Sequence, residues 1–158
     1  MFTTGVTVVT TVDSQGEPVG LTASSFNSVS LDPPLVLWSL SQNSRSMAAF
    51  RHGTHYAINV LASDQQALAE RFASRLGKRW VGVDWQPGLG GAPLLNGAVA
   101  YFECANRSRY VEGDHIIFVG QVEHCSHRPD VTPLLYHGGQ FHAGHELLPA
   151  SHQKRPAA

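Results

Sequence analysis

The hydrophobic pattern of this chain changes period several times, and each change marks an element. Gly5 to Val12 is rich in Val and Thr and reads as a strand. Asp13 to Gly16 reads as a turn and Pro18 to Phe26 as a second strand, so the two predict a hairpin. Asp32-Pro33-Pro34 punctuates the loop that follows, and Leu35 to Leu40 is a short apolar strand. Residues 44 to 52 suit a short helix stopped by Gly53. His55 to Leu61 alternates as another strand. Ser63 to Leu76 carries the clearest helical period, with Leu68, Phe72 and Leu76 on one face. Ser63 with Gln66 predicts a capping box, and Gly77 a C-terminal stop. A Gly/Pro-rich loop spans about 82 to 97. Ala98 to Arg107, His115 to His124 and Leu134 to Phe141 read as three more strands. Within the last, Gly138-Gly139 fits a hairpin or bulge.

Many short strands with one or two helices predict a mainly β fold with α additions, arranged as a barrel. Strands do not alternate regularly with helices, which argues against a doubly wound parallel sheet. The 158 residues suit one domain over residues 1 to 145. The tail from 146 to 158 is polar, with Pro149 and Pro156, and is expected to be flexible.

Composition narrows the partners. Hydrophobic residues are 42% of the chain, enough for a core, and only 15% are charged. So low a charge predicts that some surface is buried against another subunit. The net charge of −1 offers no electrostatic footprint for nucleic acid or an anionic membrane. No apolar run reaches the roughly 20 residues of a membrane span. The start, MFTTGVTVVTT, lacks the basic region and cleavage site of a signal peptide. Two cysteines, Cys104 and Cys125, are too few for a disulfide framework, so a cytoplasmic protein with free thiols is expected.

The richest chemistry lies in Gly20 to Ser46, GLTASSFNSVSLDPPLVLWSLSQNSRS. Alternation puts Thr22, Ser24 and Phe26 on one face of their strand, with Ala23 and Ser25 on the other. Small side chains there let backbone groups approach a ligand closely. Ser39 and Ser41 end the apolar strand, and Ser44, Arg45 and Ser46 open the next helix. A helix start with hydroxyls and an Arg suits a phosphate, although Asn43 or Ser44 also reads as a plain N-cap. The whole suits a flat apolar ring with a phosphate tail. Two further segments carry candidate residues: GDHIIFVGQV from Gly113 and PLLYHGGQF from Pro133.

Together these three segments resemble the flavin reductase-like family, small NAD(P)H:flavin oxidoreductases that often feed two-component monooxygenases. The likeness runs from about Gly5 to about Phe141. It implies an FMN-binding split β-barrel, usually a homodimer, with a helix ahead of the GVTVVTT strand. It implies a flavin pocket made by residues 22 to 26, 39 to 46 and 59 to 61, with Asn59 and Leu61 at its border. His115, in Gly113-Asp114-His115, is implied to lie near the flavin and nicotinamide as the catalytic residue. Lys78 falls near the family's Lys-Phe pair, although Arg79 intervenes and Trp80 replaces Phe. Tyr136 would cover the ring or pack in the core, and for Phe72 core packing is the simpler reading. FMN or FAD, and NADH or NADPH, stay open, as does the identity of a monooxygenase partner. Two other functions also fit: a flavoprotein holding FMN tightly for another substrate, and a non-enzymatic flavin- or haem-binding module.

Other signals are weaker. Seven of nine histidines lie between His115 and His152, and His142-Ala-Gly-His145-Glu146 resembles a zinc motif in the wrong order. No metal is expected. Gly88 to Gly91 resembles a dinucleotide fingerprint, but Pro93 replaces the last glycine. Ser151 to Lys154 spells SxxK in the expected tail and carries no catalytic reading.

Overall fold

The computed structural model describes residues 2–144. In chain order the elements are β1 (Thr4–Gly5), β2 (Thr7–Val12), β3 (Pro18–Ala23), β4 (Asn27–Leu31), β5 (Pro34–Ser41), α1 (Met47–His52), β6 (His55–Val60), α2 (Gln66–Ala73), β7 (Trp85–Pro87), β8 (Pro93–Leu95), β9 (Ala100–Glu112), β10 (His115–His127), β11 (Leu134–His137) and β12 (Gln140–Ala143). The fold is mainly β with two short helices, as the pattern predicts.

Seven strands form an antiparallel sheet in the order β3-β2-β6-β9-β10-β5-β4. β3 and β4 are consecutive in the chain yet stand at opposite ends of that order. Only Ser24, Ser25 and Phe26 separate them, a reach of about 14 Å at most. The sheet therefore curls until its two ends meet. No β3–β4 ladder zips the seam. Instead the Ser25 hydroxyl accepts from Ser39 N–H at 2.9 Å and donates to Ser39 C=O at 3.3 Å. The result is a split barrel.

Two cores follow from strand alternation. Val9, Trp38, Phe50, Tyr56, Ile58 and Phe118 fill the barrel interior. Trp38 stacks on Phe118 at 5.0 Å and meets Phe50 edge-on at 4.8 Å. Val6, Val8, Leu61, Phe72, Leu95 and Leu134 pack outside the sheet, under α2. β2 thus buries both its faces. Gly20 permits this second core: a Cβ there would lie 2.9 Å from the Phe72 ring.

Several elements differ from the sequence reading. β4 replaces the expected loop, because Asp32-Pro33 is the turn of a tight β4–β5 hairpin. Its two apolar residues, Val29 and Leu31, are both exposed, so five residues with no buried face give too short a signal. The predicted helix over 44 to 52 begins only at Met47, with Ser46 as N-cap. The helix predicted over Ser63 to Leu76 is a 3₁₀ turn at Ser63–Gln65 followed by α2, which stops at Ala73. The expected capping box is replaced by a one-sided cap one residue earlier, Ala62 N–H donating to Gln65 Oε1 at 3.0 Å while Ala62 has no side-chain acceptor to return it. Leu76 is 85% exposed, so its place in the period was accidental. The 82 to 97 loop holds the β7–β8 hairpin, and Gly138-Gly139 turns the β11–β12 hairpin.

Candidate functional site

The barrel seam opens into a cleft of about 710 Å³. One wall is the end of β3 and the seam itself, Thr22, Ala23, Ser24 and Ser25. Small side chains keep this wall thin. The Thr22 hydroxyl donates to Ala69 C=O at 2.6 Å, tying the wall to α2. The opposite wall is Ser39 and Ser41 of β5. Their neighbours Trp38 and Leu40 point into the core, so alternation leaves the serines to the cleft.

The turn after β5 brings Ser44, Arg45 and Ser46 to the same cleft. Ser41 Oγ accepts from Asn43 N–H at 3.4 Å, and Ser44 Oγ from Ser46 N–H at 3.2 Å. Both hydroxyl protons stay available to a ligand. α1 has six residues, too short for its dipole to govern the site. The cationic side chains must do that work.

There are three of them: Arg45, Arg75 and Arg79 line the cleft, with no carboxylate among its lining residues. Arg79 is fixed from behind. Its Nε and Nη2 donate to Ser74 C=O at 3.1 and 2.7 Å, and Nη1 to Gly20 C=O at 2.8 Å. Burial, and then the charge of Arg45, lowers its pKa from the ordinary arginine value. Cations that repel one another across a cleft favour an anion between them.

His115 opens β10 opposite Ser41 and reaches the cleft. Its Nδ1 lies 2.7 Å from Asp114 Oδ1. That contact leaves Nε2 to meet a ligand. The hydrogen bond and charge of His115 hold the Asp114 carboxyl below its ordinary pKa.

The structure thus gathers Thr22, Ala23, Ser24, Ser25, Ser39, Ser41, Ser44, Arg45, Ser46 and His115 around one cleft. Five expected residues lie elsewhere. Phe26 turns away from the cleft to pack on Phe102, at 5.2 Å between ring centroids, because the strand ends at Ala23 and its alternation stops. Asn59 is fully buried beneath β8. Its amide donates to Val8 C=O at 2.9 Å and accepts from Leu95 N–H at 2.8 Å, so it is a structural bracket. Leu61 is buried in the core under α2. Lys78 is exposed outside the cleft, and its neighbour Arg79 takes the inward place. Tyr136 lines a second, adjoining cleft.

Sequence reasoning missed Arg75 and Arg79. The available signal was Trp80, which packs edge-on against Phe72 at 4.9 Å and so fixes the residue before it. Phe72 is core, as its period suggested, and its edge also touches the cleft. Among the described residues no three His, Cys, Asp or Glu side chains converge as a metal site. Residues 145 to 158, including His145, Glu146 and the SxxK tetrapeptide, lie outside the described residues.

The model of the flavin reductase like domain matches residues 1–145. The chain belongs to the flavin reductase-like family. It is 48% identical to the FMN reductase (NADH) SmoA of Agrobacterium fabrum, over 89% of this chain and 79% of that protein. It is 41% identical to HsaB, the reductase subunit of a flavin-dependent monooxygenase of Rhodococcus jostii, over 89% and 71% of the two. Among solved structures, the NADH:FAD oxidoreductase SgcE6 of Streptomyces globisporus, in complex with NAD and FAD fragments, superposes with a TM-score of 0.84. Its identity is 42% over 89% of this chain and 85% of that one. The donor set of the seam cleft suits a flavin nucleotide: hydroxyls and small residues for a ring edge, arginines for a phosphate.

Proposed function

We propose that the seam cleft holds the flavin of an NAD(P)H-dependent flavin reductase and that His115 acts on its reacting edge. The chain is an enzyme of the NAD(P)H:flavin oxidoreductase class, using flavin and a nicotinamide nucleotide. The observation that carries the site is the convergence of three arginines and a hydroxyl-lined seam with no opposing carboxylate.

Arg45, with Ser44 and Ser46, would bind the phosphate, and Arg79 would add a fixed guanidinium. Ser24, Ser25 and Ser39 would orient the ring's polar edge. The flavin held there would supply the hydride acceptor, and the nicotinamide the hydride. Holding donor and acceptor at about 3 to 3.5 Å is the protein's main contribution. His115 Nε2, with Asp114 behind the ring, would place a proton or positive charge where negative charge arrives with the hydride.

Residues 1–145 form the catalytic unit, it works in the cytoplasm, and reduced flavin passes to a monooxygenase partner. A homodimer is supported by the low charge and by exposed Leu31 (94%) and Val29 on edge strand β4. Sedimentation of the purified protein at twice the monomer mass is expected, and a monomer at micromolar concentration would overturn the dimer.

The activity test is NADH and NADPH oxidation with and without added FMN. Oxidation that depends on added FMN and saturates with it is expected. FMN binding without nucleotide oxidation would replace the reductase with a binding module. Flavin retained through purification, with added flavin ignored, would point to a flavoprotein with another substrate.

A further inference from the structure

A second cleft of about 560 Å³ opens beside the first and shares Thr22, Ser24 and Ala73 with it. Its chemistry is the reverse. The seam cleft has three arginines and no carboxylate, whereas the second has Glu70 and no cation among its described lining residues. Tyr136 forms one wall. Its ring meets Phe141 edge-on at 5.3 Å, yet the residue is 38% exposed. An aromatic surface is therefore fixed by a neighbour and still open to a ligand.

Glu70 projects from the last turns of α2. Its Oε1 accepts from Gln66 Nε2 at 2.8 Å, which steadies the carboxylate and leaves Oε2 as an acceptor. An aromatic platform with a lone carboxylate suits a nucleoside: the base packs on the ring and the ribose hydroxyls donate to the acid. The same carboxylate opposes a phosphate on that ribose, because two anions would meet there. The shared wall lets one ligand extend from this cleft toward the arginines of the other.

We infer that the second cleft receives the adenosine end of the nicotinamide dinucleotide, and that Glu70 selects NADH over NADPH. Its carboxylate accepts from the ribose 2′-hydroxyl and repels a 2′-phosphate. The inference rests on the reductase reading above. It assigns a specificity-determining residue outside the flavin cleft.

The test measures NAD⁺ and NADP⁺ dissociation constants by calorimetry on FMN-loaded protein, alongside kcat/KM for NADH and NADPH. Wild type, Glu70→Gln, Glu70→Arg and Tyr136→Ser are compared. Glu70 is exposed, so its variants are expected to fold. Wild type should bind NAD⁺ more tightly than NADP⁺. Glu70→Gln should shrink that ratio about tenfold, the scale of one charge contact at a partly exposed site. Glu70→Arg should move it further toward NADP⁺, with FMN affinity unchanged. Tyr136→Ser should weaken both nucleotides alike. A ratio unmoved in both Glu70 variants, or a wild type that prefers NADP⁺, overturns the inference and leaves the reductase standing. Absence of any nucleotide oxidation by FMN-loaded wild type overturns the reductase reading itself.

Discussion

The barrel interior and the seam cleft are built on alternate residues of the same strand. Val36, Trp38 and Leu40 of β5 are buried, while Ser39 and Ser41, which alternate with the last two, line the cleft. The buried set is held by many neighbours at once: Trp38 alone contacts the rings of Phe50, Tyr56 and Phe118. The serines are held by few contacts: Ser39 meets the Ser25 hydroxyl through its own backbone, and Ser41 Oγ accepts from Asn43 N–H. One face is specified by volume, the other by hydrogen-bonding chemistry. Substitutions on the first should therefore read out as stability, and on the second as ligand binding.

The sharpest break of that comparison is Trp38→Ala. Loss of a fully buried indole should cost about 3 to 5 kcal/mol of unfolding free energy, measured by denaturant titration. Ser39→Ala, one residue away, should shift stability by less than about 1 kcal/mol while weakening FMN binding. Equal destabilisation by the two would collapse the distinction between the faces.

Asn59 tests it at a polar residue. Asn59→Ala should lose about 2 to 3 kcal/mol of stability, because Leu95 N–H and Val8 C=O lose buried partners. FMN affinity of the folded variant should stay at the wild-type value. A selective loss of FMN affinity would return Asn59 to the binding site.

On the cleft face, His115→Ala should slow hydride transfer by about 10- to 100-fold. Stopped-flow absorbance at saturating FMN and NADH is the measurement, with FMN affinity changing much less. An unchanged reduction rate would remove the role assigned to His115. Arg45→Gln should weaken FMN about tenfold and leave riboflavin binding unchanged, since only FMN carries the phosphate.

The smallest effect concerns pH. Burial pushes the Cys104 thiol up to about 12, with Glu123 and Glu103 adding to the shift, and burial also raises Tyr56. Above the ordinary thiol value of 9.0 the unfolded chain loses this proton while the folded one keeps it. The unfolded state then binds fewer protons, so stability falls as pH rises through the window from 9 toward 12. Between pH 9 and 10 the loss should be about 1 kcal/mol. Cys125 is exposed and should react with a thiol reagent in the native protein, whereas Cys104 should react only on unfolding. Two thiols reacting at one rate in the native state would contradict this burial.

Much of the fold was legible because its signals are local. The β2–β3 hairpin, β6 and the long β9–β10 pair announce themselves by Val/Thr content, alternation and turn residues. β4 was not legible, because its strand state is imposed by pairing with β5 and not by its own residues. The site divides in the same way. Thr22 to Ser25, Ser39 to Ser46 and His115 stood out because each segment concentrates hydroxyls or charge in a short span. Asn59 and Lys78 were expected at the cleft from the resemblance alone, and the fold sets Asn59 in the interior and Lys78 on the surface. Besides the packing of Trp80, Arg79 is held inward by the carbonyls of Ser74 and Gly20, which lie 5 and 59 residues away in sequence.

The sequence by itself determined most of the element types, a mainly β barrel and where hydroxyls and charge concentrate along the chain. Those depend on period and composition, which neighbours in the chain carry. Tertiary structure alone decided where the cleft opens, because the ends of a seven-stranded sheet meet only after it curls. It also decided which arginines share that cleft and that a carboxylate, Glu70, stands in the next one. Charges far apart in sequence act on one another only once the fold brings them within the range of an unscreened field.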